Sequence, residues 1–200
     1  MGGKLRIIAG QWRGRRLPVA DRPGLRPTGD RTRETLFNWL QGRVHGVSAL
    51  DLFAGSGALG IEAASRGADP VVLVERDPAL VESLRSLLSG WPDSELVSVV
   101  QEDALSWLAR ADGPFDLVFV DPPFDARLHE RVLDALKRPG LLSRDCRVYL
   151  ESPVDEPAPV ADDDPCWRIV KQKRQGGVQL QLVARSGPSD SAPLPPIPGA

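Results

Sequence analysis

The chain reads as an α/β protein, a mostly parallel sheet with helices between its strands and an antiparallel hairpin at its end. Three observations carry this expectation. Short, nearly continuous apolar runs at 49–53, 71–74, 96–100 and 115–120 suit parallel strands buried on both faces. Helical patterns lie between them, which gives successive βαβ units with right-handed crossovers. Near the end, 167–173 and 178–183 flank Gly176-Gly177, the signal of a tight hairpin.

Taken in order, the first element is a small β-ribbon. Residues 5–9 are apolar apart from Arg6, Gly10 and Gly14 punctuate a turn, and 15–19 returns. After a loop built on Pro23, Gly24, Pro27 and Gly29, Asp30 is placed to cap a helix with Leu36, Phe37, Leu40 and Val44 on one side. In the body, the clearest helix has Asp77 as its cap, Pro78 in its first turn, leucines at 80, 84, 87 and 88, and a stop at Gly90. Another runs through Leu128, Val132, Leu133 and Leu136 ahead of Pro139 and Gly140. Residues 147–151 read as a fifth strand and 152–165 as a Pro- and Asp-rich connector without helical period. The expected division is a basic ribbon-and-helix extension at 1–45, an α/β body at 46–185 and a disordered Pro/Ser/Gly-rich tail at 186–200.

Composition narrows the function classes. Two hundred residues suit one domain with a short appendage. No run approaches the ~18 apolar residues of a membrane span, and the N-terminus has no secretory pattern. Cys146 and Cys166 stand apart, with no CxxC pair and no histidine cluster, so a disulfide scaffold or metal site is not expected and a cytoplasmic location is. His45 and His129 are isolated and read as surface or helix-end histidines. The net charge of −2 conceals an asymmetry: residues 1–45 carry +7 and the remainder −9. A basic arm on an acidic body is a footprint for a polyanion, and Arg13, Arg15 and Arg16 on the ribbon can each neutralise a phosphate. Trp12 beside them is expected to pack the ribbon on the body.

The glycine turn Asp51-Leu-Phe-Ala-Gly55-Ser-Gly57-Ala-Leu-Gly60 lies where the first body strand passes into its helix. Its glycines allow a sharp turn and a close approach to a ligand, and Gly60 lets the helix pack on the sheet. Glu75 ends the next strand, where a carboxylate can accept from both hydroxyls of a ribose. Nicotinamide dinucleotides and S-adenosylmethionine share that diol, so Asp51 has to decide between them. Its anion would repel a pyrophosphate but suits the cationic amino-acid portion of S-adenosylmethionine. Phe53 and Arg76 adjoin these positions and join Gly55 and Gly57 as expected cofactor contacts. Asp103-Ala104 can supply a carboxylate and an N–H for an adenine, although Asp103 serves equally well as a helix N-cap.

Asp121-Pro122-Pro123-Phe124 follows the strand 115–120 and shares the carboxyl edge of the sheet with the glycine turn. The prolines fix the backbone and remove two donors, leaving carbonyls and the Asp121 carboxylate as acceptors suited to an –NH2 group. Such bonds would localise the lone pair of an exocyclic base amine and hold it in line with a sulfonium methyl, and well-oriented reactants gain on the order of 7–11 kcal/mol. Phe124 is placed to stack on a base swung out of its surroundings.

With Asp121 to Phe124 after the fourth body strand and the glycine turn after the first, the chain resembles the amino-group branch of Rossmann-like S-adenosylmethionine-dependent methyltransferases. More narrowly, the segment from Arg6 through Trp12 to Arg15, the segment from Gly24 to Thr28, the pair Asp30-Arg31 and the segment from Arg33 to Leu40 are similar to the RsmD family of bacterial 16S ribosomal RNA guanine-N2 methyltransferases. Gly29 departs from the threonine common there, and the acidic connector at 162–164 has no counterpart in the pattern. The resemblance implies a seven-stranded sheet and a substrate in the small ribosomal subunit or its assembly intermediate, acted on by a monomer. It also implies that Gly55, Gly57 and Glu75 hold cofactor, Asp121 to Phe124 hold the base, and Arg26, Thr28 and Arg31 border the pocket.

Three alternatives stay open on sequence. Acceptor geometry alone would also admit adenine-N6 or cytosine-N4 methylation, but the chain is too short for the separate target-recognition domain of sequence-specific DNA enzymes. A nicotinamide oxidoreductase would need a hydride-transfer partner, and Tyr149, the only tyrosine, lies inside a strand. A non-catalytic RNA-binding assembly factor would bind without transferring.

Overall fold

The structure, a computed structural model, describes residues 4–18, 29–123 and 126–186, with backbone alone at 126 and 127. The tail expected to be disordered falls at 187–200, outside the described residues, as do Arg26, Thr28 and Phe124.

In chain order the elements are β1 (Lys4–Arg6), β2 (Arg16–Pro18), α1 (Asp30–Trp39), β3 (Ala49–Asp51), α2 (Gly60–Ser65), β4 (Val71–Glu75), α3 (Pro78–Ser89), β5 (Val97–Gln101), α4 (Ala104–Leu108), β6 (Phe115–Val120), α5 (Ala126–Ala135), β7 (Leu142–Pro153), β8 (Trp167–Gln175) and β9 (Val178–Arg185). Strands β3 to β9 form one seven-stranded sheet in the order β5-β4-β3-β6-β7-β9-β8, and β1 pairs antiparallel with β2. All neighbours from β5 through β7 are parallel, and β9 runs antiparallel to both β7 and β8. The chain builds outward from β3 on one side, then returns to place β6 on its other side. This reversal opens a crevice at the carboxyl ends of β3 and β6.

Alternation along the strands divides the interior. Ala49, Leu73, Leu117, Phe119 and Tyr149 face a core shared with α1, α2, α3 and the ribbon, whereas Leu50, Val118, Val120 and Val148 face one shared with α4 and α5. Gly60 explains how α2 lies so close to the sheet: a Cβ there would come within 2.2 Å of Leu73 Cδ2.

The ribbon does not stand apart from the body. Ile8 and Ala9 donate their N–H groups to the Glu62 carboxylate, and Trp12 N–H donates to Ser65 Oγ. Trp12 packs as expected, fully buried, with its ring centroid 5.2 Å from that of Trp91 in an edge-to-face arrangement and its Nε1 donating to the Pro92 carbonyl. A Cβ on Gly10 would lie 1.7 Å from the Ser65 carbonyl oxygen, so only glycine permits this approach.

Several sequence expectations need correction. Asp30 does not cap α1; Gly29 occupies the N-cap without a side-chain bond, because the Asp30 carboxylate turns to Arg33 at 2.6 Å. Strand β1 is shorter than 5–9, since the chain from Ile8 onward bonds to Glu62 of α2, while Ile7 still bonds to Arg15 and Gly14 of the ribbon. Strand β7 has twelve residues instead of five, because its ends pair with Phe115 of β6 and with Gln179 and Val178 of β9. The connector keeps no helix but is tied down at Val160, whose N–H and carbonyl both bond the Gln181 side chain. Between β8 and β9 the hairpin turn is the two residues Gly176-Gly177, both at positive φ.

Candidate active site

Four neighbouring strands deliver a carboxylate to the same edge. Asp51 ends β3, Glu75 ends β4, Asp121 follows β6, and Glu151 lies near the end of β7. Register places them on one face: Asp51 is paired with Leu73 and Phe119, Glu75 lies two residues beyond Leu73, Asp121 two beyond Phe119, and Glu151 two beyond Tyr149, itself opposite Phe119. They form a row along the edge; among the described residues no three acidic, histidine or cysteine side chains gather closely enough to hold a metal ion.

Asp51 is buried and accepts from Gly60 N–H at 3.0 Å and from Phe53 N–H. Burial pushes its carboxyl up to about 7, against the pull of the Gly60 bond and with the help of the neighbouring Asp121 and Glu75 charges. An acidic group held in this way favours a cation beside it and disfavours a pyrophosphate. Glu75 accepts from Gly55 N–H at 2.9 Å and from Asp77 N–H at 2.8 Å, so it also fixes the glycine turn to the end of β4. Gly57 stands at φ +78, where a Cβ would lie 2.5 Å from Ile61 Cδ1. Arg76 is exposed next to Glu75, and Phe53 is half-buried in the turn.

Asp103 caps α4, its Oδ1 accepting from Leu105 and Ser106 N–H groups, with Ala104 buried behind it. Beyond β6, Asp121 is half-buried, Pro122 buried and Pro123 exposed. Arg31 is exposed in the first turn of α1, one residue before Thr32, whose hydroxyl accepts from Gln175 at the end of β8. The carboxyl edge therefore gathers Asp51, Phe53, Gly55, Gly57, Glu75, Arg76, Asp103, Ala104, Asp121 and the prolines, with Arg31 on the α1 side. Arg13 and Arg15 are not brought there. The ribbon turn docks on Ser65, the last residue of α2, and Arg15 stacks 5.0 Å from the ring of Trp91, just past α3. Both helices start at the carboxyl edge and run back across the sheet, so these arginines sit at the opposite edge. Arg16 is exposed on β2, paired with Arg6.

Four residues escaped the sequence reading. Glu151 lies at the carboxyl end of a strand, as Glu75 and Asp121 do, and that shared position was the available signal. Its Oε2 accepts from the Tyr149 hydroxyl at 2.9 Å. His129, expected at the surface, is only 4% exposed; its Nε2 donates to the Glu151 carbonyl at 2.7 Å and ties α5 to β7. Glu62 and Arg33 form a wholly buried pair beneath the ribbon.

A family model described as conserved hypothetical protein 95 matches residues 5–184. The Escherichia coli K12 protein named ribosomal RNA small subunit methyltransferase D is 44% identical over 94% of each chain. The chain belongs to the RsmD family. A second family member of the same name, from Haemophilus influenzae, is 41% identical over 90% of this chain and 93% of its own. Among solved structures, yhhF from Escherichia coli superposes with a TM-score of 0.80 at 43% identity, covering 92% of this chain and 98% of the other. The fold extends to more distant proteins such as TrmN from Thermus thermophilus, with a TM-score of 0.64 at 24% identity over 88% of this chain and 56% of that one.

Proposed function

We propose that the chain transfers a methyl group from S-adenosylmethionine to the exocyclic N2 amine of a guanine in 16S ribosomal RNA, within the small subunit or its assembly intermediate. The observation that carries this reading is the acceptor-rich edge: carboxylates at the ends of β3, β4 and β6, with Pro122 and Pro123 removing the backbone donors that would otherwise stand beside Asp121. S-adenosylmethionine supplies the methyl group. Asp51 faces its cationic amino-acid portion, Glu75 its ribose hydroxyls, and Asp103 with Ala104 its adenine, while Gly55 and Gly57 give it room and Phe53 and Arg76 border it. Because Asp103 Oδ1 already takes two cap bonds, Oδ2 is the oxygen for the adenine amine.

Asp121 and the Pro122 carbonyl accept from the two amine hydrogens and hold the nitrogen for attack, and the attacking nitrogen loses one proton towards that edge. Pro123 and Phe124 shape the pocket for the swung-out base. The body at 46–185 carries the chemistry, and 1–45 faces RNA, with Arg26, Thr28 and Arg31 at the pocket and Arg13, Arg15 and Arg16 on more distant phosphates. The reading takes the protein to act in the cytoplasm as a monomer. Among the described residues no helix is long and apolar enough to cross a membrane.

The test is transfer of labelled methyl to small-subunit RNA. Asp121→Ala is expected to lower the rate at least ~100-fold with cofactor affinity within about twofold of wild type. Wild-type turnover in that variant would refute the role of Asp121, and binding without transfer by the unaltered protein would favour an assembly factor.

A further inference from the structure

Three members of the carboxylate row have a task in the reading above, and Glu151 has none. Strands β6 and β7 are parallel, with Val120 opposite Leu150, so Asp121 and Glu151 stand abreast on chains about 4.8 Å apart. Both fall on the face that carries Phe119 and Tyr149, whose rings meet edge to face at 6.5 Å. Glu151 is also held twice, its carboxylate by the Tyr149 hydroxyl at 2.9 Å and its carbonyl by His129 at 2.7 Å. Burial, followed by the charges of Glu151 and Asp121, raises the Tyr149 hydroxyl well above its usual range, so it remains a donor at any working pH. A carboxylate held in this manner stands at the strand position beside the residue assigned to the amine.

We propose that Glu151 selects guanine by accepting its N1–H while Asp121 and the Pro122 carbonyl hold the neighbouring N2 amine. Only guanine among the amine-bearing bases has a ring N–H beside the amine. Adenine N1 and cytosine N3 offer a lone pair at the equivalent place and would face the Glu151 carboxylate acceptor to acceptor. Opposing one acceptor to another at a half-buried carboxylate such as Glu151 discriminates more strongly than removing a methylene from an apolar pocket. This assignment rests on the base-amine methylation reading and removes the adenine-N6 and cytosine-N4 alternatives that Asp121 and the prolines alone admit.

The experiment uses small-subunit particles reconstituted with 16S RNA in which the mapped target guanine is replaced by 2-aminopurine, which keeps the N2 amine but has a lone pair at N1. Wild type is expected to favour guanine by about 100-fold or more in kcat/KM. In Glu151→Gln the carboxamide accepts from Tyr149 and can also donate to N1 of 2-aminopurine, so the preference should fall below about tenfold. Cofactor affinity and thermal midpoint should stay near wild type. An unchanged preference in Glu151→Gln overturns the proposal. Should that variant fail to fold, Tyr149→Phe removes only the hydroxyl that orients the carboxylate and is expected to cut the preference several-fold; an unchanged ratio there overturns it equally. Absence of methyl on guanine with the unaltered protein would instead reject the underlying reading.

Discussion

Asp51 and Glu62 are both buried carboxylates on the face of the sheet that carries α2, yet the chain treats them in opposite ways. Glu62 is surrounded by donors from its own molecule: the N–H groups of Ile8 and Ala9, the Arg66 guanidinium at 2.7 Å and the Arg33 guanidinium at 3.4 Å. Asp51 has two backbone donors, no cation among the described residues, and the like charges of Asp121 and Glu75 nearby. The first charge is balanced by folding, and the proposed cofactor would balance the second. A buried acid therefore marks a binding site only where the chain itself fails to neutralise it.

The largest expected effect tests the balanced side. Glu62→Ala leaves Arg33 inside the protein with Asp30 as its remaining carboxylate and strips the ribbon of two backbone acceptors. Unfolding in urea should show a loss of about 3–5 kcal/mol, the usual result of breaking a buried ion pair from one side. A loss below about 1 kcal/mol would mean that the ribbon is fastened chiefly by Trp12 and that the pair is incidental.

Asp51 sharpens the comparison through pH. Its folded pKa, pushed up to about 7 from 3.8, favours the protonated form, so the stability it contributes is complete below pH 3.8 and is lost as pH rises through 7. Asp51→Asn keeps an acceptor for Gly60 N–H and has no charge to bury. It should therefore be more stable than wild type at pH 8.5, by on the order of 2–4 kcal/mol, and nearly equal to it at acid pH. Binding should move the other way: wild-type affinity for S-adenosylmethionine rises with pH up to about 7 and then levels, whereas the variant binds weakly with no such rise. Urea unfolding at two pH values and calorimetric titration across the same range measure both. Equal stability at pH 8.5, or a pH-dependent variant, would remove the argument that a cation belongs beside Asp51.

These two residues also show what a sequence can convey. Asp51, Glu75 and Asp121 were legible because each follows an apolar run and precedes a turn, so a one-dimensional pattern places them at a common edge. The strands and the Gly-Gly hairpin were legible for the same local reasons, whereas the count of seven strands came from the family resemblance. Glu62 and Arg33 were not, because 29 residues separate them and their meeting depends on the ribbon folding back over α2. The burial of His129 likewise depends on α5 lying against β7, a tertiary fact that no spacing in its own helix records. Asp30 misled for a related reason: a good capping residue was claimed by a buried arginine three positions on.

The ribbon arginines provide the smallest effect and separate binding from chemistry. With Arg15 against Trp91 and the ribbon turn at the end of α2, Arg13 and Arg15 lie at the edge opposite the glycine turn, separated from it by the twelve residues of α3, or about 18 Å of helix. An RNA large enough to reach both edges would gain phosphate contacts there without any change at the target base. Replacing Arg13, Arg15 and Arg16 by Ala should thus lower the salt slope of RNA binding by about 2–3, at 0.7–0.9 per phosphate, and raise KM with kcat and cofactor affinity unchanged. Arg15 should contribute least of the three, since its guanidinium is already partly committed to the Trp91 ring. A fall in kcat with an unaltered salt slope would place the ribbon turn at the reacting base and reverse the assignment of the two edges.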